Sequence, residues 1–127
     1  MMNKLGIAVL GVVFGLAATG AFAKGMSKAE YKAEKVQIRA DYKSNKDACK
    51  SLADNARDVC VTEAKAKEKA AKAELKNKYE PTKRHRRGAN KSGAKGRYAV
   101  AKEKCEALSG DEKTTCINRA KARYNRS

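Results

Sequence analysis

Four cysteines are the residues of this chain whose type and spacing most clearly indicate chemistry. Cys49 and Cys60 have ten residues between them, and so do Cys105 and Cys116, which lie 56 residues further along the chain. The match extends beyond the cysteines, to the pairs Leu52 and Leu108, Tyr42 and Tyr98, and Lys46 and Lys102. The chain therefore contains a duplicated unit, and the two copies include all of its cysteines.

The residues midway between the paired cysteines predict a helix, a tight turn and a second helix. Gly110 can adopt the left-handed conformation that ends a helix, and Asn55 or Asp111 can cap the helix that follows. Asn55 with Asp58 also approximates a capping box. An antiparallel hairpin that turns at these residues brings the cysteines of one unit together. This geometry favours the disulfides Cys49–Cys60 and Cys105–Cys116.

Other roles for the cysteines stay open at this point, because four cysteines allow three connectivities. Cys60–Cys105 with Cys49–Cys116 would form one long hairpin centred near Pro81-Thr82, which also has the composition of a turn. A zinc site is less favoured, since zinc ligands are usually two to four residues apart or include paired histidines, and His85 is the one histidine. A redox role is disfavoured because the chain has no Cys-x-x-Cys motif.

Residues 1–23 have the pattern of a secretory signal peptide. Lys4 precedes an uncharged apolar run, and Ala21-Phe22-Ala23 is a small-x-small cleavage site. The run is nearly long enough for an uncleaved anchor, but its four glycines and its Ala-x-Ala ending favour cleavage after Ala23. We therefore expect a periplasmic or secreted protein of a Gram-negative bacterium, without a transmembrane anchor, in a compartment where disulfides form.

The remaining chain predicts an all-α fold of two antiparallel, coiled-coil-like helical hairpins, each pinned by one disulfide. Ser27 and Glu30 form a capping box before the first helix. The first hairpin covers 24–80 and the second, shorter one covers 98–127. Between them, 81–97 begins with proline, contains three glycines and has no large apolar side chain, which predicts a flexible basic loop. With so few apolar residues to bury, we expect the disulfides to be structural.

The connector concentrates positive charge. It carries seven basic residues and no acidic one, in a chain with a formal net charge of +16. Clustered cations attract phosphate-rich partners without sequence specificity, so the connector predicts binding of lipopolysaccharide, anionic phospholipid or nucleic acid. The alternative is a solvated linker. The predicted anion-binding residues are Lys83, Arg84, Arg86, Arg87, Lys91, Lys95 and Arg97.

No pattern in the chain indicates catalysis. The sequence contains no glycine-rich phosphate loop, no nucleophile–base motif and no metal-ligand cluster. We therefore predict a protein that is not an enzyme and needs no metal or cofactor. Besides polyanion binding, two further functions remain open: a structural module of the cell envelope that self-associates or binds another envelope protein, and a thiol–disulfide or chaperone-like stress protein.

The cysteine blocks also carry a family resemblance. The stretch 41–65, with Ala-Cys-Lys and Asn-Ala-Arg-Asp-Val-Cys, and the stretch 98–108, with Lys-Glu-Lys-Cys-Glu, resemble a group of small exported Ala/Lys/Glu-rich helical proteins of β-proteobacteria with twin Cys-x10-Cys blocks, sometimes labelled TolA-like. The second block departs from the group's pattern with Ser-Gly-Asp-Glu-Lys-Thr-Thr. The resemblance implies an exported helical protein and no particular activity.

Overall fold

A computed structural model describes residues 25–124 of the chain, and over this range the protein is helical, without strands. Four α-helices follow one another, with a short 3-10 turn, Cys49–Ser51, after the first. The predicted all-α class is confirmed. The predicted signal peptide and its cleavage residues lie outside the described residues. The helices are α1 (Lys28–Ala48), α2 (Asp54–Tyr79), α3 (Lys83–Cys105) and α4 (Gly110–Tyr124).

The helices form an open antiparallel row rather than a closed bundle. Tyr31 at the start of α1 stacks on Tyr79 at the end of α2, with ring centroids 4.6 Å apart. Asn55 at the start of α2 donates a hydrogen bond of 2.9 Å to the carbonyl oxygen of Glu103 near the end of α3. Within the described part of the chain, the backbone of α1 approaches α2 but not α3 or α4, and that of α4 approaches α3 but not α1 or α2.

Both predicted local disulfides are present. Cys49 is bonded to Cys60 and Cys105 to Cys116, with Cα–Cα distances of 5.6 and 5.7 Å. The antiparallel order places both bridges at the same end of the row, opposite the turn at Pro81. The rival connectivity is therefore wrong, although the turn near Pro81-Thr82 that it invoked does join two paired helices, α2 and α3.

The flexible connector is the main prediction that fails. Residues 83–97 form the first part of α3, which runs without interruption to Cys105. The Thr82 side chain caps this helix by accepting a hydrogen bond of 3.0 Å from the backbone N–H of His85, and Pro81 stands just outside it. The second hairpin consequently begins at Lys83 rather than at residue 98, and its first helix is 23 residues long.

One of the three glycines that suggested a loop has a packing reason instead. A methyl group added at Gly96 would lie 3.1 Å from the Cβ of Ala66, so glycine lets α2 and α3 approach closely. The other two helical glycines of the connector, Gly88 and Gly93, have ordinary space around them. Glycine costs about 1 kcal/mol in a helix interior, and contact with α2 along its length keeps α3 helical despite that cost.

The two disulfide-bonded turns share one backbone geometry. Asp54 and Gly110 occupy equivalent positions of the repeat and are the two described residues with left-handed backbone, at φ 52° and 58°. The left-handed conformation of Gly110 is confirmed, and it stands at the first residue of α4. The predicted Asn55–Asp58 capping box is wrong, because α2 has no side-chain cap and the Asn55 amide reaches α3 instead.

The core is as thin as the composition predicts. Five described residues are buried, and four of them are repeat equivalents: Cys49 with Cys105, and Ala64 with Ala120. Leu75 is the fifth. The two disulfides therefore supply much of the interior of each hairpin, which supports a structural role for them.

Candidate anion-binding surface

All seven predicted anion-binding residues lie on α3, and all seven are exposed. The structure contains four ion pairs among the described residues, and none involves these seven side chains. Because the stretch 81–97 has no carboxylate of its own, the charge of this surface is not neutralised from within. The seven predicted residues thus lie on one helix rather than on a loop.

The helix separates the seven cations into two groups. At 3.6 residues per turn, five of them recur at intervals of three and four residues and fall within about a third of the helix circumference. We name these five the basic stripe: Lys83, Arg84, Arg87, Lys91 and Lys95. Arg86 and Arg97 lie more than about 100° around the helix from the centre of the stripe. The sequence-based prediction treated all seven residues as one group, but on the helix only five of them share a face.

The position of α4 leaves the stripe accessible. Helix α4 runs back along α3 from the turn at Gly110, and Tyr124 at its end lines a cleft beside Gly93, Gly96 and Arg97. The described part of α4 therefore stops level with Arg97. The earlier residues of α3, where the stripe lies, have α2 as their one helical neighbour among the described elements.

Lysines of α2 extend the charge beyond α3. Lys65 and Lys69 lie one helical turn apart and, with Lys91 and Lys95, surround a groove of about 500 Å³ between the two helices. We name it the lysine groove, and its ten lining residues include no carboxylate: Thr62, Lys65, Ala66, Lys69, Gly88, Lys91, Ser92, Lys95, Gly96 and Ala99.

The prediction did not include Lys65 and Lys69. Their spacing of four residues was visible in the sequence, but it indicates a site only once 83–97 is known to form a helix beside α2. The small residues between the helices explain why the lysines can converge. Ala66 and Gly96 make the close approach at the bottom of the groove, so the lysines stand at its rim rather than between the helices.

A second groove lies on the other side of the Ala66–Gly96 contact. It has a volume of about 590 Å³, and its lining includes Val100, Ala101 and the Tyr124 ring. Its charged residues are of both signs, with Glu63 beside Lys67, Arg97 and Lys104. The two grooves thus differ in charge, since the charged residues of the lysine groove are all cations and those of the second groove are of both signs.

The remaining polar residues of interest lie at helix ends. The pKa of Glu30 is held below its ordinary value, first by the hydrogen bond from the Ser27 backbone N–H and second by the Ser27 hydroxyl. His85 Nδ1 lies 2.7 Å from the carbonyl oxygen of Glu80, across the turn between α2 and α3. That contact ties the imidazole to the turn that orients the basic stripe.

Each disulfide has one deeply buried partner, because Cys49 and Cys105 are each 1 % exposed. Thiol–disulfide exchange needs a thiolate to reach a sulfur atom, and burial obstructs that approach at one cysteine of each pair. In residues 25–124 no three His, Cys, Asp or Glu side chains come together as a metal site would require.

Over the same range, no helix combines the length and the apolar character that crossing a membrane requires. Comparison of the chain with models of protein families, with curated proteins and with solved structures finds no match. The case for function therefore depends on the chemistry of the surface.

Proposed function

We propose that this protein binds phosphate-rich anionic surfaces of the cell envelope electrostatically, through the basic stripe of α3. The observation that carries the proposal is the alignment of five exposed cations along one face of a capped helix, none of them in an ion pair within residues 25–124. Lys83 and Lys95 at its two ends are about 18 Å apart along the helix axis. A rigid row of this length can contact several lipid head groups at once.

A helical stripe binds anions differently from a flexible loop. The cations are held in place before binding, so less conformational entropy is lost when phosphates dock than for a disordered segment. No ion pair among the described residues relieves their mutual repulsion, and an anionic surface would relieve it. This attraction depends on charge rather than on sequence, and it weakens with salt.

The envelope is the proposed location for two reasons. Two disulfides join all four cysteines, and such bonds persist in oxidising compartments such as the bacterial periplasm. The apolar run in 1–23, which ends in Ala-x-Ala, supports export. In the periplasm or outside the cell, lipopolysaccharide and anionic phospholipid are the phosphate-bearing surfaces that such a stripe would meet.

The test compares two variants with the same change in net charge on the same helix. Arg84→Gln/Arg87→Gln/Lys91→Gln removes the middle of the basic stripe, and glutamine keeps the helix propensity that serine would lower. The control, Arg86→Gln/Arg97→Gln/Lys104→Gln, removes three exposed cations from the other side of α3. We expect the stripe variant to lose binding to lipopolysaccharide and to phosphatidylglycerol vesicles, and the control to keep most of it.

Duplex DNA serves as a calibrated probe of how many phosphates are contacted. Five contacts give a slope of about −4.5 in a plot of log affinity against log salt, and loss of three of them leaves about −1.8. If the two variants lose the same amount of binding, net charge alone explains the effect and the basic stripe is not a specific binding surface. Tight binding to DNA without binding to vesicles would indicate nucleic acid, rather than an envelope surface, as the target.

A specific observation favours a second candidate, association with another envelope protein or a second copy. Leu52 and Leu108, at equivalent repeat positions, are 40 % and 39 % exposed at the disulfide end of the row. Apolar side chains there would contribute to an interface. Light scattering of the wild type and of Leu52→Gln/Leu108→Gln tests self-association. If both proteins have the mass of a monomer, self-association through these leucines is ruled out.

A further inference from the structure

The geometry points to the lysine groove as a discrete site for a compact ligand that bears a phosphate monoester or diphosphate. This inference rests on the proposed function for its ligand chemistry and goes beyond it in location. It adds two residues of α2, Lys65 and Lys69, and it replaces diffuse attraction along a helix with a bounded site. The ligand would be either a lipid head group or a free phosphate compound.

Four lysines line the groove, two from each of the helices that form it. In the antiparallel register set by Ala66 and Gly96, Lys69 comes level with Gly93, between Lys91 and Lys95. The lysines of the two helices therefore alternate along the groove, over about 9 Å of helix axis from Lys65 to Lys91. A phosphate at the centre would have cations on both sides, which an isolated helix face does not provide.

The groove also contains hydroxyl groups, which complement the lysines. Thr62 and Ser92 are part of its lining, and both are half-buried. A hydroxyl can donate a hydrogen bond to a phosphate oxygen, while ammonium groups supply the charge. The volume of about 500 Å³ lies in the range of small-molecule sites. This combination favours a compact phosphate over an extended polymer.

The arrangement carries an electrostatic cost without a ligand. Lys65 with Lys69, and Lys91 with Lys95, are like charges four residues apart, a spacing that destabilises a helix. None of the four makes an ion pair within residues 25–124. A ligand that binds the folded protein and neutralises these charges raises the thermal midpoint by mass action. The groove thus predicts that a phosphate ligand stabilises the fold.

The test measures binding of inorganic pyrophosphate to the intact disulfide-bonded protein by calorimetry and by the shift in Tm. We expect one site in the wild type. Lys65→Gln/Lys69→Gln should weaken it by at least about tenfold, since loss of even one of the two charge-assisted hydrogen bonds has that effect, and should raise the Tm of the ligand-free protein. The control Lys32→Gln/Lys43→Gln makes the same change in net charge at exposed positions of α1 and should leave the affinity within twofold.

Equal weakening in the two double variants, or none in either, overturns the groove. The proposed function would fail by a different result. If vesicle binding survives the loss of Arg84, Arg87 and Lys91, the basic stripe is not the binding surface, but a loss of pyrophosphate binding in the Lys65 and Lys69 variant would still support the groove.

Two further experiments distinguish a lipid head group from a soluble ligand. Vesicles with phosphatidic acid present a phosphate monoester, and vesicles with phosphatidylglycerol present a diester. If a head group occupies the groove, pyrophosphate should displace the wild-type protein more readily from the phosphatidic acid vesicles. Preference for free pyrophosphate over both vesicles would assign a soluble ligand.

Discussion

Helices α1 and α3 lead into equivalent disulfide-bonded turns, but α1 has a carboxylate in its first turn and α3 does not. At the start of α1 the Ser27 hydroxyl accepts from the Glu30 backbone N–H, and the Glu30 carboxylate accepts from the Ser27 N–H. At the start of α3 the Thr82 hydroxyl accepts from the His85 N–H, with no acidic residue in the first turn. Lys83 and Arg84 stand there instead.

The difference lowers the stability of α3 relative to α1. The amino end of a helix carries partial positive charge, so a carboxylate there stabilises the helix and a cation destabilises it by about 0.3–1 kcal/mol. The first turn of α1 has the Glu30 carboxylate besides Lys28, whereas the first turn of α3 has Lys83 and Arg84 without a carboxylate. A basic helix start is unfavourable for folding, and this cost is consistent with the proposed role of the charge in binding anions.

The two turns differ in a second way, although their backbones match. The left-handed position is Asp54 in the first repeat and Gly110 in the second. Arg57 in the first turn donates hydrogen bonds of 2.8 and 3.1 Å to the carbonyl oxygens of Leu52 and Lys50. Its repeat equivalent, Lys113, forms an ion pair with the Glu106 side chain instead. The first turn is thus held by hydrogen bonds to backbone carbonyls and the second by a partly exposed ion pair, which contributes less.

The largest expected effect comes from breaking the disulfides one at a time. Each closes a loop of the same length, so the loop-entropy contribution is about 3 kcal/mol in both. Cys105→Ser/Cys116→Ser should nevertheless release more structure, because α4 has 15 residues and contacts α3 alone among the described helices. Hydrogen exchange should show α4 unprotected in this variant.

The comparison variant is Cys49→Ser/Cys60→Ser. Here α1 and α2 keep the Tyr31–Tyr79 contact at the far end of the pair, so we expect α1 to remain partly protected while Tm falls. Equal loss of protection in α1 and α4 would mean that the two hairpins depend on their bridges to the same degree.

The same comparison explains which parts of the structure the sequence could predict. The disulfides and turns followed from local features, since ten intervening residues around Gly110 or Asp54-Asn55 leave room for one tight antiparallel turn. Residues 81–97 were misassigned because glycine has low helix propensity. Gly96 is explained by its close packing against Ala66, which is 30 residues earlier and could not be identified as its neighbour from the sequence. The error about α3 also hid Lys65 and Lys69, whose role needs a partner helix.

A smaller effect should follow from exchanging the left-handed residues of the turns. A residue with a side chain costs roughly 1 kcal/mol more than glycine in this conformation. Asp54→Gly should therefore stabilise the first hairpin by up to about that amount, and Gly110→Ala should destabilise the second by a similar amount. Urea unfolding checks both. A destabilised Asp54→Gly would mean that the Asp54 carboxylate at the start of α2 outweighs the backbone strain.

The helical glycines give a third comparison, because position 96 corresponds to Ala40 in the first repeat. Ala40 is exposed on α1, whereas Gly96 lies against Ala66. Gly96→Ala should destabilise the protein by about 1 kcal/mol, since overpacking at a helix contact exceeds the gain in propensity. Gly88→Ala, with open space around it, should stabilise by about 0.5–1 kcal/mol. Two stabilising substitutions would show that α2 and α3 can separate at little cost.

The smallest effect concerns the capping box of α1 and its dependence on pH. Because the pKa of Glu30 is lowered in the folded protein by the Ser27 hydrogen bonds, its contribution to stability is present above its unfolded pKa and is lost as pH falls through the folded pKa. The stability difference between wild type and Glu30→Gln, which keeps a capping side chain without the charge, should therefore shrink on acidification.

His85→Glu places a carboxylate at the matching third position of α3. There it should add about 0.3–1 kcal/mol to the stability near neutral pH, and this gain should also shrink on acidification. Urea unfolding of both variants across pH 3 to 7 measures this. A difference for Glu30→Gln that grows with acid would reverse the sign of the pKa shift.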